Sequence, residues 1–378
     1  MVTHTRPPED ESVPMTAPFM DYVVAYDDWI VKQDVPVVRG FYIEDMKEVE
    51  VGPWARRGCN GAIVILEGTG GVNDTHVLEI PPGGSINPEK HMYEEMIYVL
   101  SGRGAASIWV DEKKKQTFEW GTGAVFSVPL NAWSEFHNGS GTEPARFMSV
   151  TNLPTVINMF HNEDFIYDNP FNFKDRFSGE DDFFSGGGKM WKNRIWQTNF
   201  VADAATTKLY SWKERGAGGS NIFFELAQNS MGAHISQFPV STYKKAHHHG
   251  PGAHVILVDG EGYSLLWREE DEERIRCNWK PGSLLVPPEH WFHEHFNPGN
   301  RPARYLALRF TGRRFIQPGA YSGAEGADVS VKKGGWQIEY EDEDESIHRE
   351  FEAELAKNGE VCRMKGMIPS CTGTTLDG

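Results

Sequence analysis

The chain repeats itself at long range, and that limits it to a fold that can be built twice. Trp54-Ala55-Arg56-Arg57-Gly58 recurs as Trp212-Lys213-Glu214-Arg215-Gly216, an offset of 158 residues. His76 matches His234, Pro81 matches Pro239, and Gly102-Arg103-Gly104 matches Gly260-Glu261-Gly262 at the same offset. Gly123, Pro129 and Asn138 match Gly282, Pro288 and Asn297 at 159, one residue having been gained in the polar hairpin 268–276. The offset returns to 158 at Ala145-Arg146 and Ala303-Arg304. A period this long means two copies of a domain rather than a solenoid. In the first copy, apolar segments at 62–66, 75–80, 95–100, 105–110, 123–128 and 146–150 are separated by Gly/Pro turns. Strands of that length and spacing predict an all-β sandwich or barrel.

The flanks have different compositions. Residues 1–20 are polar and Pro-rich, which predicts a loose or disordered start, and 22–51 reads as an arm packing on a neighbouring domain or subunit. The reading therefore divides the chain into an N-terminal arm (1–53), a first barrel (54–152), an inter-domain segment (153–211), a second barrel (212–315) and an acidic C-terminal tail (316–378). The inter-domain segment carries Phe160, Phe165, Phe171, Phe173, Phe177, Phe183 and Phe184. These rings either pin it across a domain or subunit surface or form a small core of its own. Ser185-Gly186-Gly187-Gly188 marks the flexible boundary. In the tail, Ile347, Phe351 and Leu355 at four-residue spacing predict a helix over 346–358 that docks on the protein's own surface, with the last dozen residues mobile.

The chemistry concentrates in His247-His248-His249-Gly250-Pro251-Gly252-Ala253-His254 and in Pro288-Glu289-His290-Trp291-Phe292-His293. Side chains alternate along extended backbone, so His247 and His249 share a face and His248 points away. His254 and His293 can join them if the chain bends at Gly250-Pro251-Gly252. Convergent neutral imidazoles suit a borderline divalent metal and leave a position open for substrate. Strict register points Ala253 rather than His254 inward, so His254 needs a one-residue bulge. Tyr263, Trp267, Trp291 and Phe292 are candidates for an aromatic wall. Of Arg304 and Arg309, five apart on one strand, one can face inward and hold a carboxylate.

These residues resemble the cupins, metal-binding jelly-roll barrels, here in two-domain form. The family's motifs read G-x5-H-x-H-x3,4-E-x6-G and G-x5-P-x-G-x2-H-x3-N. The second copy matches through His247, His249 and Gly260, then Gly282, Pro288, His293 and Asn297, with His290 in place of a glycine. In the first copy Gly83, His91, Glu95 and Gly102 fit, but Glu89 replaces the first histidine and Ser134 the metal-binding histidine of the second motif. The resemblance covers about 54–150 and 212–312. It implies two tandem double-stranded β-helix barrels with an N-terminal arm and a helical tail. Metal is expected on His247, His249, His254 and His293. Glu89, His91 and Glu95 are expected in a mainly structural first barrel, although two carboxylates and an imidazole can form a facial triad.

Two-domain members include gentisate- and salicylate-type dioxygenases, so the leading expectation is an Fe(II) dioxygenase acting on a small hydroxyaromatic acid or β-dicarbonyl. His254, Arg304 and Tyr263 are the catalytic candidates. The alternatives are a non-oxidative Zn, Mn or Ni lyase, isomerase or hydrolase, and a non-enzymatic small-molecule binder. A formal charge of −17 argues against nucleic acid or an anionic membrane as partner. Four cysteines in 378 residues, none paired at metal-ligand spacing, argue against a disulfide framework. With no signal-like start and no long apolar run, a cytoplasmic homo-oligomer with a small-molecule substrate is expected.

Overall fold

A computed structural model describes residues 23–192, 194–269, 273–315, 326 and 328–376. The loose start expected at 1–20 lies outside them. Two β-barrels, each of two facing sheets, account for most of the chain. Four α-helices flank them: α1 (Ala25–Gln33), α2 (Leu153–Phe160), α3 (Glu163–Tyr167) and α4 (Glu345–Lys357). None of the described helices is long and apolar enough to cross a membrane.

In the first barrel the larger sheet runs, in spatial order, Val37–Gly40, Cys59–Leu66, Asp74–Ile80, Ala145–Thr151, Glu95–Ser101, Val125–Val128 and Phe200–Val201. Facing it are Trp133–Asn138, Arg103–Trp109 and Gln116–Gly121. The second barrel repeats this order. Ile195–Thr198, Ser220–Leu226, Gly232–Phe238, Ala303–Arg309, Ala253–Asp259, Leu284–Leu285 and Tyr42–Ile43 are neighbours in that sequence. Opposite lie Thr242–Tyr243, Phe292–Asn297, Gly262–Trp267 and Ile275–Trp279.

Each barrel borrows an edge strand from the arm of the other. Val37 pairs with Ile63 in the first barrel, while Tyr42 pairs with Leu285 in the second. Ile195 and Phe200, each 158 residues after Val37 and Tyr42, pair with Phe223 in the second barrel and Phe126 in the first. The repeat therefore extends upstream of Trp54 and Trp212, where Asp45 and Asp203 also match at the offset of 158. A glycine at each crossing makes it possible. A Cβ on Gly123 would lie 2.5 Å from Asp203 Oδ1, and one on Gly282 would lie 2.5 Å from Asp45 Oδ1. Both glycines also have φ near +90°, which other residues avoid.

The larger sheets pack back to back. Val64, Val77, Met96 and Met148 of one meet Ile222, Ile235, Ile256 and Leu306 of the other in one continuous buried layer. Alternation turns the other face of each sheet into its own barrel. Most inter-domain phenylalanines stay on the chain's own surface. Phe177 and Phe184 join the first barrel's core, Phe184 stacking on Phe118 at 4.2 Å. Helix α1 closes the first barrel: Trp29 is fully buried against His76, and Tyr26 donates to Asp74 Oδ2 at 2.5 Å. Truncating such a ring to alanine costs about 3–5 kcal/mol.

On the far side, Ile347, Phe351 and Leu355 of α4 pack on Tyr243, Tyr263 and Phe296 of the second barrel. Its start is capped by Asp344, whose side chain accepts from Ser346 N. The expectation of a mobile last dozen residues is corrected through residue 376, because Ile368 and Cys371 are buried in this same cluster.

Candidate metal centre

The second barrel's histidines are brought together by backbone pairing across the barrel mouth. His247 and His293 exchange N–H···O bonds of 3.1 and 2.9 Å, and His290 N donates to His249 O at 3.0 Å. The His247 and His293 rings lie 4.3 Å apart, and His249 lies 4.6 Å from His293. One ligand atom from each of the three falls within 4.8 Å of the others. His248 points outward onto Phe292 and Trp336, as alternation requires. His290 adopts φ +62°, the left-handed conformation that a glycine would take without strain.

Each ring is held through its other nitrogen. Nδ1 of His247 faces Lys245 O at 3.2 Å, that of His249 faces Gly250 O at 2.7 Å, and that of His293 faces Trp291 O at 3.3 Å. A carbonyl accepts only from N–H, so all three are Nδ1–H tautomers and the Nε2 lone pairs are left to converge. Burial pushes the basicity of all three down, His249 to about 3, aided by neighbouring arginines and imidazoles. The set is neutral, as ligation requires, and fits a divalent ion.

Around the imidazoles the barrel encloses a cavity of about 50 Å³. Its walls include Trp212, Phe223, His234, His295 and Tyr305, with Arg215, Arg309 and Arg313. Arg215 is 5 % exposed; it lies 3.4 Å from Asp328 and donates to Gln337 Oε1 at 3.3 Å. Arg313 lies 3.9 Å over the Phe223 ring. Nε of both Arg215 and Arg313 is buried without a hydrogen-bond partner. Burial, then the neighbouring guanidinium charges, brings Arg309 down to about 10. Lys244, also buried, donates to Tyr305 Oη at 3.0 Å. So much positive charge around neutral ligands favours an anion.

The three catalytic candidates lie outside the cavity lining. His254 is not in the cluster. The ladder from Ala253 to Leu257 runs without the required bulge, so Ala253 lines the cavity and His254 turns toward the first barrel. There its Nδ1 lies 3.4 Å from Asn73. The irregularity falls later, between Leu257 and Asp259. Arg304 also faces outward, donating to Ala204 O and Gln237 Oε1, and Arg309 is the cavity arginine. Tyr263 is buried beneath α4, stacked on Phe296, and Trp267 and Phe292 stack outside the barrel as well. The aromatic wall is instead Trp212, Phe223 and Tyr305. Arg215 was visible only as part of the repeat, and nothing local marked Arg313.

The first barrel preserves the backbone of this site and fills it differently. Glu89 and Ser134 exchange N–H···O bonds of 3.1 and 2.8 Å, as His247 and His293 do. The Arg57 guanidinium pairs with Glu89 and lies 3.7 Å from Glu95; Arg56 also binds Glu89. His91 Nε2 lies 3.2 Å from Glu95 Oε2. Burial raises the Glu95 pKa, but His91 and Arg57 outweigh it and hold the carboxyl well below its usual range. Among the described residues, Glu89, His91 and Glu95 do not form a metal-sized cluster.

Comparison with known proteins reaches the fold by a separate route. Residues 76–151 match the family described as Cupin domain. The match covers strands of the first barrel, which the second repeats with the same strand order, so the fold is two tandem cupin-type barrels. No curated protein matches the chain. Among solved structures it is similar to two point mutants of Bacillus subtilis oxalate decarboxylase, each 13% identical with a TM-score of 0.48. A third oxalate decarboxylase structure, concerned with substrate binding and reaction specificity, is 14% identical with a TM-score of 0.47. Each alignment covers 73% of this chain and 78% of the other. Likeness at this level carries no argument about reaction or metal.

Proposed function

We propose that the protein is a metal-dependent enzyme whose second barrel holds a divalent ion on His247, His249 and His293 and acts on a small carboxylate. The observation carrying this reading is the juxtaposition of three Nδ1–H imidazoles, their ligand atoms within 4.8 Å, with three cavity arginines. When bound, the ion supplies Lewis acidity or, as Fe(II), a place for dioxygen.

Arg309, Arg215 and Arg313 orient the substrate carboxylate, with the unpartnered Nε groups of the latter two as ready donors. Trp212 and Phe223 help exclude water. Burial raises the pKa of Tyr305, but the Lys244 ammonium draws the phenol below its ordinary value. Tyr305 is therefore the proposed proton donor or acceptor.

Cavity size bears on the substrate. An apolar cavity that admits benzene measures about 150 Å³. A space of about 50 Å³ favours a β-dicarbonyl or short oxo- or hydroxy-acid over a hydroxyaromatic acid. Fe(II) dioxygenase chemistry and a non-oxidative Zn, Mn or Ni reaction fit these residues equally. The test is to load metal-free protein with each ion and offer short dicarboxylates, oxoacids and β-dicarbonyls, with and without oxygen. Oxygen uptake with Fe(II) alone selects the dioxygenase, and anaerobic turnover selects the alternative. No turnover in either arm, with the ion shown to be bound, leaves the non-enzymatic binder. Exposed Met159, Phe160 and Phe171 fit the further proposal of a homo-oligomer, which light scattering checks.

A further inference from the structure

A second group of metal-type ligands lies under the C-terminal tail, on the opposite face of the second barrel's smaller sheet from the cavity. His348 and Glu352, one turn apart on α4, meet Cys362 and Cys371 from the following loop. One ligand atom from each of the four lies within 4.8 Å of every other. Side chains at i and i+4 share a helix face, so the first pair is set by α4 itself. The cysteines converge because the chain turns back between them: Cys371 N donates to Ile368 O, and Thr374 N to Cys362 O. Both thiols are buried and free, with their sulfurs 3.0 Å apart.

One ring nitrogen inside this group lacks a hydrogen-bond partner. Tyr243 Oη donates to Glu343 Oε2 at 2.7 Å, so it can only accept from His348 Nδ1, 3.3 Å away. The proton on Nδ1 leaves Nε2 with a lone pair, and that atom is buried without a hydrogen-bond partner. It faces Glu352 Oε1 at 3.2 Å, where two acceptors repel each other. One divalent ion would take the Nε2 lone pair, the Glu352 carboxylate and both sulfurs at once.

We propose that His348, Glu352, Cys362 and Cys371 form a structural zinc-class site that staples the C-terminal loop to α4. Two thiolates, an imidazole and a carboxylate are a tetrahedral donor set for zinc, and a set supplied wholly by the protein is closed, as structural sites are. The ion would fix the cover over Tyr243, Tyr263 and Phe296 without reaching the cavity. This proposal stands independently of the reading of the barrel site.

The test uses full-length untagged protein purified under reducing conditions, carrying His247→Ala and His293→Ala to remove the barrel ligands. Elemental analysis is expected to find one zinc per chain, and Cys362→Ser is expected to remove it. X-ray absorption at the zinc edge is expected to show two sulfur neighbours at about 2.3 Å. That measurement needs no cysteine variant, so it decides the matter even if Cys362→Ser fails to fold. Chelation should lower the Tm on the order of 5 to 10 °C. Zinc absent from the folded barrel variant, zinc held by nitrogen and oxygen alone, or a Cys362–Cys371 disulfide in a non-reducing peptide map would each overturn the proposal.

Discussion

The two barrels share a backbone and differ in where their positive charge comes from. At the barrel mouth, Glu89 and Ser134 are paired as His247 and His293 are, residue for residue. In the second barrel the ligands are neutral and the arginines stand around a cavity. In the first, Arg57 reaches the carboxylates of Glu89 and Glu95 directly. Arg57 and Arg215 occupy equivalent positions of the repeat, so one arginine has been used in two ways. Beside carboxylates it pairs with them directly, and beside imidazoles it pairs with Asp328 and Gln337 at the cavity wall, with its Nε left unpartnered. In the first barrel a covalently attached cation thus stands where the second is proposed to hold a removable one.

The largest effect that could break this contrast is loss of a ligand. His293→Ala should reduce divalent metal binding in the second barrel by more than about 100-fold, beyond the ~10–100-fold typical of losing an outer partner. Titration of metal-free protein measures it, and unchanged affinity would sink the trihistidine assignment. Next is Arg57→Met, which takes a guanidinium from half-buried Glu89, leaving it Arg56, and from buried Glu95, leaving it His91. Breaking a buried pair from one side costs about 3–5 kcal/mol, so denaturant unfolding should show a loss of that order with metal binding in the second barrel intact.

Acid should separate the barrels as well. His249 and His254 of the second barrel have folded pKa values of about 3 and about 4, against 6.5 for free imidazole. The unfolded chain therefore binds more protons in that interval, and metal-free protein should lose stability as pH falls below 6.5. Each such histidine contributes about 1.4 kcal/mol per pH unit until its folded pKa is reached. Glu95 of the first barrel is depressed from 4.5, so its contribution is present above that value and declines only at lower pH. Hydrogen exchange at pH 5.5 and 7.5 should show the second barrel loosening first; equal loosening would contradict the charge assignment. The smallest expected effect is that of Ser134→His. With Arg57 still in place, introducing that imidazole should add no ion beyond those of the unaltered chain in elemental analysis.

Much of the site was readable because its signals are local or periodic. His247, His249 and His293 follow from alternation and from motif spacing in a repeat. The rejection of His254 and Arg304 depended on strand register, and one absent bulge at Ala253 decided it. Tyr263 was misplaced because sequence alternation says that two faces exist without saying which one is covered; α4, more than eighty residues on, covers it. Cys362 and Cys371 lack the short spacing of a metal motif and meet His348 and Glu352 only through a helix and a returning loop.

By itself the sequence determined that this chain is built twice, that each half is a β-barrel, and that the downstream half holds the imidazoles. Those facts are written at separations of one to seven residues within a copy and of a fixed offset between copies. Tertiary structure alone decided which charges face the cavity, which edge strands are exchanged, and what the tail gathers beneath itself. Such outcomes depend on backbone closure over tens to hundreds of residues, where a single shift in register sends a side chain to the other face of a sheet.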